Sequence, residues 1–197
     1  MSPKFPIAIL VSGSGTNLQA IIDAIEAGHL DAEIKIVISN NPNAPALNRA
    51  KKHGIRCAVH AVEDAVANEI EACGAELICL AGFMRILSPK FIKKFSGKII
   101  NIHPALLPDF PGLHAQRQAL AAGARESGCT VHFVNEGVDT GPVIMQARVK
   151  VLPGDTEETL SARILKEEHK LYPAVIQLFA KRRIRLDGQR VLIEPEK

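Results

Sequence analysis

Ile7–Val11 reads Ile-Ala-Ile-Leu-Val, and residues 12–17, which follow at once, read Ser-Gly-Ser-Gly-Thr-Asn. A continuous aliphatic run of this kind is typical of a strand buried on both faces of a parallel sheet. Apolar residues then recur at helical spacing from Leu18 to Ile25, so the glycine-rich turn joins a strand to a helix. The junction therefore predicts an α/β protein built from β–α units.

Aliphatic runs and helical patterns continue to alternate after this first unit. The pattern predicts strands at 34–38, 55–59 and 77–80, with helices at 46–53 and 62–72 between them. Repeated β–α units form a doubly wound, mostly parallel, Rossmann-like sheet with right-handed crossovers. Ligands of such sheets bind beyond the carboxyl ends of the strands.

The second half of the chain has a different pattern. After a helix at 114–122, β-rich runs at 130–134 and 143–149 are joined by a loop, which predicts antiparallel strands added to the C-terminal side of the sheet. Asp155 or Thr156 caps the last long helix, and Pro173 should kink it or split it in two. A short strand pair at 184–186 and 190–193 follows.

Length, charge and cysteine content limit the classes of protein to consider. The chain has 197 residues, 47% of them apolar, and shows no linker, which fits one large domain. A net charge of +3 suits small anionic substrates better than nucleic acid. The first apolar run is too short for a signal sequence or a membrane span. The four cysteines form no C-x-x-C pair and no zinc spacing, so we expect a cytoplasmic protein without a metal site.

The glycine-rich turn is a candidate phosphate site. A strand–glycine turn–helix arrangement aims free backbone N–H groups at an anion, and Thr16 and Asn17 can add donors or cap the helix. The alternative is a tight β–α turn with an ordinary cap. A dinucleotide fingerprint fits less well, because Leu18 replaces its third glycine and the strand at 34–38 is followed by no acidic residue.

Ile99–Pro104 carries the candidate catalytic groups. Asn101 and His103 are two residues apart, so on a strand they project from one face, where an amide and an imidazole can serve an oxyanion and a proton. The alternative is that His103 is a packed histidine at a strand end. In the later loop, Asp139 is either a turn former or a carboxylate that raises the pKa of a nearby imidazole.

Four segments, at 12–18, 81–87, 101–108 and 138–142, together resemble the phosphoribosylglycinamide formyltransferase family, folate-dependent enzymes of purine synthesis. The resemblance covers nearly the whole chain. It implies a formyltransferase fold in a single domain over 1–197, with a nucleotide-phosphate half at about 1–100 and a folate and catalytic half at about 101–197. It also implies transfer of a formyl group from 10-formyltetrahydrofolate to the amine of 5′-phosphoribosylglycinamide.

The resemblance further implies a role for individual residues. The catalytic set is Asn101, His103 and Asp139. The ribonucleotide set is Gly15, Thr16, Asn17 and Glu168, the last within a polar block that otherwise suggests a solvated helix face. The folate set is Met84, Arg85, Ile86, Leu87, Asn101, Asp139, Thr140 and Gly141. The expected partners are these small molecules alone, with no nucleic acid, no membrane and no metal, and the chain is expected to be a monomer or a homodimer.

One departure from the family and three rival functions complete this interpretation. Between Cys57 and Gly74 the chain is shorter than is usual in the family, and no basic residue for the glutamate tail of the folate is evident there. The rivals are a formyltetrahydrofolate hydrolase, another formyltransferase such as the methionyl-tRNA enzyme, and a non-catalytic module that binds nucleotide phosphate.

Overall fold

The computed structural model describes residues 3–195. Within that range the helices are α1 Thr16–Glu26, α2 Pro45–Lys52, α3 Glu63–Cys73, α4 Pro89–Lys94, α5 Ala115–Ala121 and α6 Glu157–Ala180. The strands are β1 Phe5–Val11, β2 Ala32–Ser39, β3 Cys57–Val59, β4 Leu77–Leu80, β5 Ile99–His103, β6 Glu126–Phe133, β7 Val143–Lys150, β8 Ile184–Asp187 and β9 Arg190–Ile193.

Strands β1 to β7 form one sheet, in the order β3-β2-β1-β4-β5-β6-β7, across the described residues. The first five strands are parallel, whereas β6 is antiparallel to both β5 and β7. The strand order reverses between β1 and β4, where crevices for ligands form in open α/β sheets. The predicted mostly parallel, doubly wound sheet with antiparallel C-terminal strands is therefore confirmed, and β8 and β9 pair separately as a hairpin.

The sheet is buried on both faces because alternate residues of the central strands enter different cores. In β1, Ile7 and Ile9 pack on one side with α1, α2 and α6, while Ala8 and Leu10 pack on the other side with α3 and α4. Each fully buried aliphatic side chain contributes about 1.5–3 kcal/mol to stability. Two-sided burial explains why β1 reads as an unbroken aliphatic run rather than an alternating one.

Two features of the described residues differ from the sequence prediction. Helix α4 was not predicted, because a helix of six residues leaves too short a periodic pattern to recognise. Pro173 was predicted to kink or split the last helix, and the split is wrong, since α6 is a single helix of 24 residues that includes Pro173. The neighbours Tyr172, Val175 and Ile176 are fully buried, and this packing holds both parts of the helix against the sheet despite the missing N–H of proline.

Candidate active site

A cavity of about 630 Å³ opens at the carboxyl edge of the sheet. Its walls come from the residues that follow β4, from the end of β5, from β6 and from the loop between β6 and β7. Its size lies in the usual range for a site that holds a drug-sized ligand. Asn101, His103 and Asp139 all line it, so the structure brings the three predicted catalytic residues together.

His103 lies at the end of β5 and is only 4% exposed. Its Nδ1 is 3.2 Å from the Asp139 Oδ2 atom, and its Nε2 donates a hydrogen bond of 2.9 Å to the carbonyl oxygen of Phe110. Both ring nitrogens therefore face oxygen acceptors. In the protonated ring, Nδ1–H would donate to Asp139 while Nε2–H donates to Phe110.

The protonation of His103 depends on two opposing effects. Burial lowers the pKa of His103 below its usual value of 6.5, although the Phe110 carbonyl and the Asp139 carboxylate both act to raise it. The cost of burying an imidazolium exceeds the stabilisation that these two partners give it. Asp139 therefore acts in the expected direction, but the net pKa is lowered and the neutral ring is favoured near pH 7.

Asp139 lies between two imidazoles in a left-handed backbone conformation, with φ of +53°. Aspartate tolerates this region better than most residues, and such conformations concentrate at functional sites. Oδ2 accepts a hydrogen bond of 2.8 Å from the Gly112 N–H, and Oδ1 is 3.5 Å from His132 Nε2. Burial opposes ionisation, but the His132 ring, the Gly112 N–H and the His103 ring together hold the pKa of Asp139 below its usual value, so it is a carboxylate at neutral pH.

His132 is a member of this cluster that sequence reasoning missed. Its Nδ1 donates to the Phe133 carbonyl oxygen at 2.8 Å, which leaves Nε2 to accept from Asn101 Nδ2 at 3.2 Å. Residues Asn101 and His132 are direct neighbours in the antiparallel β5–β6 pairing. The signal for His132 is therefore this cross-strand register, which is a long-range property that local sequence patterns do not contain.

The predicted folate wall is only partly on the cavity surface. Met84 and Ile86 line the cavity and are 66% and 80% exposed, so large apolar side chains face an open space. Leu87 also lines it, but it is 6% exposed and belongs to the core on the α3 and α4 side. Arg85 lines the cavity, and its Nη1 donates to the Ala61 carbonyl oxygen.

Thr140 and Gly141 lie beyond the residues that line this cavity and shape the loop that carries Asp139. The Thr140 hydroxyl donates to Asn135 Oδ1 at 2.9 Å and fastens the loop. A side chain at Gly141 would meet the Phe133 carbonyl oxygen at 1.8 Å, so only glycine lets the chain pass this close to β6. These contacts fix the loop that carries Asp139, and the contact of Thr140 and Gly141 with the folate stays a prediction.

The glycine loop lies beside the cavity, next to Gly82, which lines the cavity. The Ser12 N–H donates to the Gly82 carbonyl oxygen at 3.1 Å, and Ser12 Oγ accepts from the Met84 N–H at 2.8 Å. Gly15 has φ of +72° and precedes α1 as its N-terminal cap, without a side-chain cap bond. The loop and the apolar wall are thus fixed to each other through one serine.

Glu168 is buried, so the solvated helix face suggested by the polar block around it is wrong at this residue. It is 7% exposed, and its Oε2 accepts a hydrogen bond of 2.8 Å from Asn17 Nδ2. One turn later on α6, the fully buried Tyr172 hydroxyl donates to the carbonyl oxygens of Leu80 and Ile100, at 2.9 and 3.2 Å. This anchor to β4 and β5 places Glu168 opposite the first turn of α1.

Comparisons with known proteins show which family this chain resembles. A model of the formyl transferase family matches residues 5–176. The chain is 46% identical over 189 residues to phosphoribosylglycinamide formyltransferase of Haemophilus influenzae, which covers 91% of this chain and 89% of that protein. It is 51% identical over 189 residues to the trifunctional purine biosynthetic protein adenosine-3 of Drosophila pseudoobscura pseudoobscura; the match covers 90% of this chain but only 14% of that protein's length.

A solved structure extends the likeness to the whole fold. Glycinamide ribonucleotide transformylase 1 from Symbiobacterium toebii superposes with a TM-score of 0.94 at 46% sequence identity, covering 99% of this chain and 96% of that one. No helix among residues 3–195 is long and apolar enough to cross a membrane. The fold, the matched residues and these relatives show that the chain belongs to the formyl transferase family, among the phosphoribosylglycinamide formyltransferases.

Proposed function

We propose that this chain transfers a formyl group from 10-formyltetrahydrofolate to the amine of 5′-phosphoribosylglycinamide, a step of de novo purine synthesis. The observation that carries the proposal is the cluster of Asn101, His103, Asp139 and His132 on the wall of an apolar cavity. An acyl transfer needs an oxyanion donor and a group that moves protons at one place, and this cluster supplies both.

The chemistry assigned to the cluster balances as follows. The amine nitrogen forms a bond to the formyl carbon, the carbon–N10 bond of the folate then breaks, the amine loses a proton and the folate nitrogen gains one. The second N–H of Asn101 Nδ2 stabilises the oxyanion of the tetrahedral intermediate, and such a donor is worth about 3–4 kcal/mol in the barrier. His103 is neutral at the start, so it can accept a proton, and Asp139 stabilises the cation that results.

The two substrates are assigned to adjacent parts of the edge. The folate occupies the cavity, where Met84 and Ile86 offer exposed apolar surface to a flat ring. Arg85 is the one arginine or lysine that lines this cavity within the described range, and we assign it to the acidic tail of the folate in place of the basic residue missing between Cys57 and Gly74. The ribonucleotide takes Gly15, Thr16, Asn17 and Glu168 beside it, so the amine meets the formyl group near His103.

The remaining assignments are also proposals. The single domain over 1–197, with nucleotide-phosphate and folate halves near 1–100 and 101–197, follows from the arrangement of these two substrate regions. The proposed partners are the two small molecules, the proposed location is the cytoplasm, and the proposed assembly is a monomer or a homodimer. No step of the proposed transfer requires a metal.

A formyl-transfer assay with both substrates tests the function. We expect folate product to form only when the ribonucleotide is present, and we expect His103→Ala to lower turnover by about 10²- to 10⁴-fold, the usual worth of a positioned proton-transfer group. His29→Ala, which removes an exposed histidine from a turn, should leave turnover unchanged. Formate release that does not depend on the ribonucleotide would instead indicate a hydrolase, and phosphate binding without turnover would indicate a binding module.

A further inference from the structure

The first three carbonyl groups of the glycine loop are held by α2 and by the segment between β2 and α2. The Ser12 carbonyl accepts from Asn41 Nδ2 at 3.4 Å, the Gly13 carbonyl from the Ala46 N–H at 3.1 Å, and the Ser14 carbonyl from Arg49 Nε at 2.8 Å. In a trans peptide group the N–H points opposite to the C=O of the preceding residue. The N–H groups that follow these carbonyls therefore point away from α2. Within residues 3–195 no acceptor serves the N–H groups of residues 13–17.

A buried polar atom at the same place lacks a partner. Asn17 is 8% exposed, and its Nδ2 is used by Glu168. Its Oδ1 has no hydrogen-bond partner among the described residues. A buried polar atom without a partner costs about 1–3 kcal/mol, so a polar ligand at the loop would relieve that cost.

Arg49 is the cationic group attached to this loop. Its side chain is half-buried, and its Cδ lies 3.5 Å from the position that a Cβ would occupy on Gly15. Its Nη1 makes only a long contact of 3.5 Å with the neutral Gln19 Oε1. No carboxylate lies within salt-bridge distance of its guanidinium in the described part of the chain, although arginines elsewhere, such as Arg56 and Arg163, have acidic partners.

Among the described residues the guanidinium has no carboxylate partner, and it holds the Ser14 carbonyl, on the side of the loop opposite its free amides. This arrangement favours an anion on the amide side. Arg49 also affects His169 on α6. Burial is the first cause of the lowered pKa of His169, and the positive charge of Arg49 lowers it in part. Arginine is suited to phosphate because its planar fork offers several donors at once. A helix N-terminus alone supplies only about half a positive charge, and that charge is screened by water.

We propose that Arg49 is a positioning residue of the phosphate site: its Nε–H holds the Ser14 carbonyl so that the loop amides face the ligand, and its guanidinium supplies the site's counter-charge. The inference rests on the assignment of the ribonucleotide to this loop under the proposed function. It goes further by naming α2 as the element that sets affinity for the phosphate group, with the rest of the substrate left to α1 and α6.

Titration with ribose 5-phosphate tests this without any catalysis. We expect Arg49→Gln to weaken its binding by about ten- to a hundredfold, the worth of a charge-assisted hydrogen bond. Arg49→Lys, which keeps the charge but loses Nε–H, should recover part of that loss. Lys51→Gln removes a charge from an exposed position on another face of α2 and should leave binding unchanged.

Kinetics then separates positioning from general damage. In the full assay Arg49→Gln should raise KM for the ribonucleotide and leave KM for the folate and kcat near their wild-type values. Arg49→Gln that binds ribose 5-phosphate within twofold of the wild type, or that raises both KM values equally, would overturn the inference, as would Arg49→Lys as weak as Arg49→Gln. If the wild type binds ribose 5-phosphate through Arg49 but transfers no formyl group, the inference stands and the proposed function fails.

Discussion

At the scale of single residues, the site sets the protonation states of His103 and Asp139 through burial and hydrogen bonds. His103 is kept neutral by burial, yet both of its ring nitrogens face acceptors. Asp139 remains a carboxylate because two imidazoles and the Gly112 N–H stabilise it. The pair is therefore poised to accept one proton on the ring, which is the condition for a group that first takes a proton and then returns it.

Asp139→Asn tests this balance. The amide keeps the shape of the side chain but no longer favours the imidazolium, so we expect turnover to fall by about 10²- to 10⁴-fold. The Asp139 charge acts to raise the pKa of His103, so its loss should lower that pKa further and move the corresponding limb of the pH–rate profile to lower pH. Asp187→Asn, at the exposed end of β8, is the control. A limb that moves to higher pH would contradict the assigned role.

Gly15 shows how closely the backbone approaches at the phosphate loop. It has φ of +72°, and a Cβ there would lie 2.5 Å from the Ala46 Cβ. We expect Gly15→Ala to lower the free energy of unfolding by about 2–3 kcal/mol, from the left-handed conformation together with the overlap, and to raise KM for the ribonucleotide more than KM for the folate.

Gly74→Ala is the matched control for Gly15→Ala. Gly74 has φ of +69° at the end of α3, but a Cβ there would have nothing within 4 Å. Urea unfolding of both variants therefore separates the cost of the backbone conformation, about 1 kcal/mol, from the cost of the contact with α2. Equal losses in the two variants would show that α2 does not constrain the loop.

At the scale of elements, α6 shows what a local pattern can and cannot reveal. Its apolar spacing and acidic first turn predict a helix, and Thr156 forms a capping box with Thr159 as its sequence allows. The burial of Glu168 could not be read from its polar neighbours, because it depends on Tyr172 docking against β4 and β5, 92 and 72 residues away in sequence. Only the family resemblance selected Glu168.

Glu168→Gln should separate stability from function on this helix. Burial raises the pKa of Glu168 above its usual 4.5, so its contribution to stability is fully present below pH 4.5 and is lost as the pH rises through the raised pKa. The neutral amide avoids this loss and keeps an acceptor for Asn17. We therefore expect unfolding at pH 7.5 to require at least as much urea as in the wild type, while KM for the ribonucleotide rises about tenfold or more. Glu167→Gln, which removes a partner of Lys170, is the control.

At the scale of the whole molecule, the sheet order explains which parts of the site could be predicted. Parallel strands were recognised because two-sided burial leaves continuous aliphatic runs, and the carboxyl edge then collects the glycine loop and His103. The position of β6 between β5 and β7 follows from long-range pairing, which no local pattern encodes. His132 and Arg49 were missed for this reason, since each acquires its partners only when distant segments meet.

The same burial makes the stability of the fold depend on pH with a definite sign. Burial lowers the pKa of both His103 and His169 below 6.5. Near and below pH 6.5 the unfolded chain therefore binds more protons at these residues than the folded chain does. Their contribution is complete above pH 6.5 and is lost as the pH falls through the lowered values. Asp139 and Asp155 also have lowered pKa values, but their contributions change only below their usual value of 3.8. Between pH 5 and 8 the two histidines therefore make the fold less stable as the pH falls. Among the described carboxyl groups with shifted pKa values, Glu168 alone has the opposite effect in this range.

Urea unfolding across pH 5 to 8 separates these opposing contributions. In Glu168→Gln the opposing group is absent, so we expect the free energy of unfolding to fall more steeply below pH 6.5 than in the wild type. His169→Asn removes one histidine whose pKa is lowered on folding, so the free energy of unfolding should fall less steeply than in the wild type. His29→Asn, at an exposed turn, should reproduce the wild-type curve. A fall in His169→Asn as steep as in the wild type would mean that His169 does not lose its proton on folding.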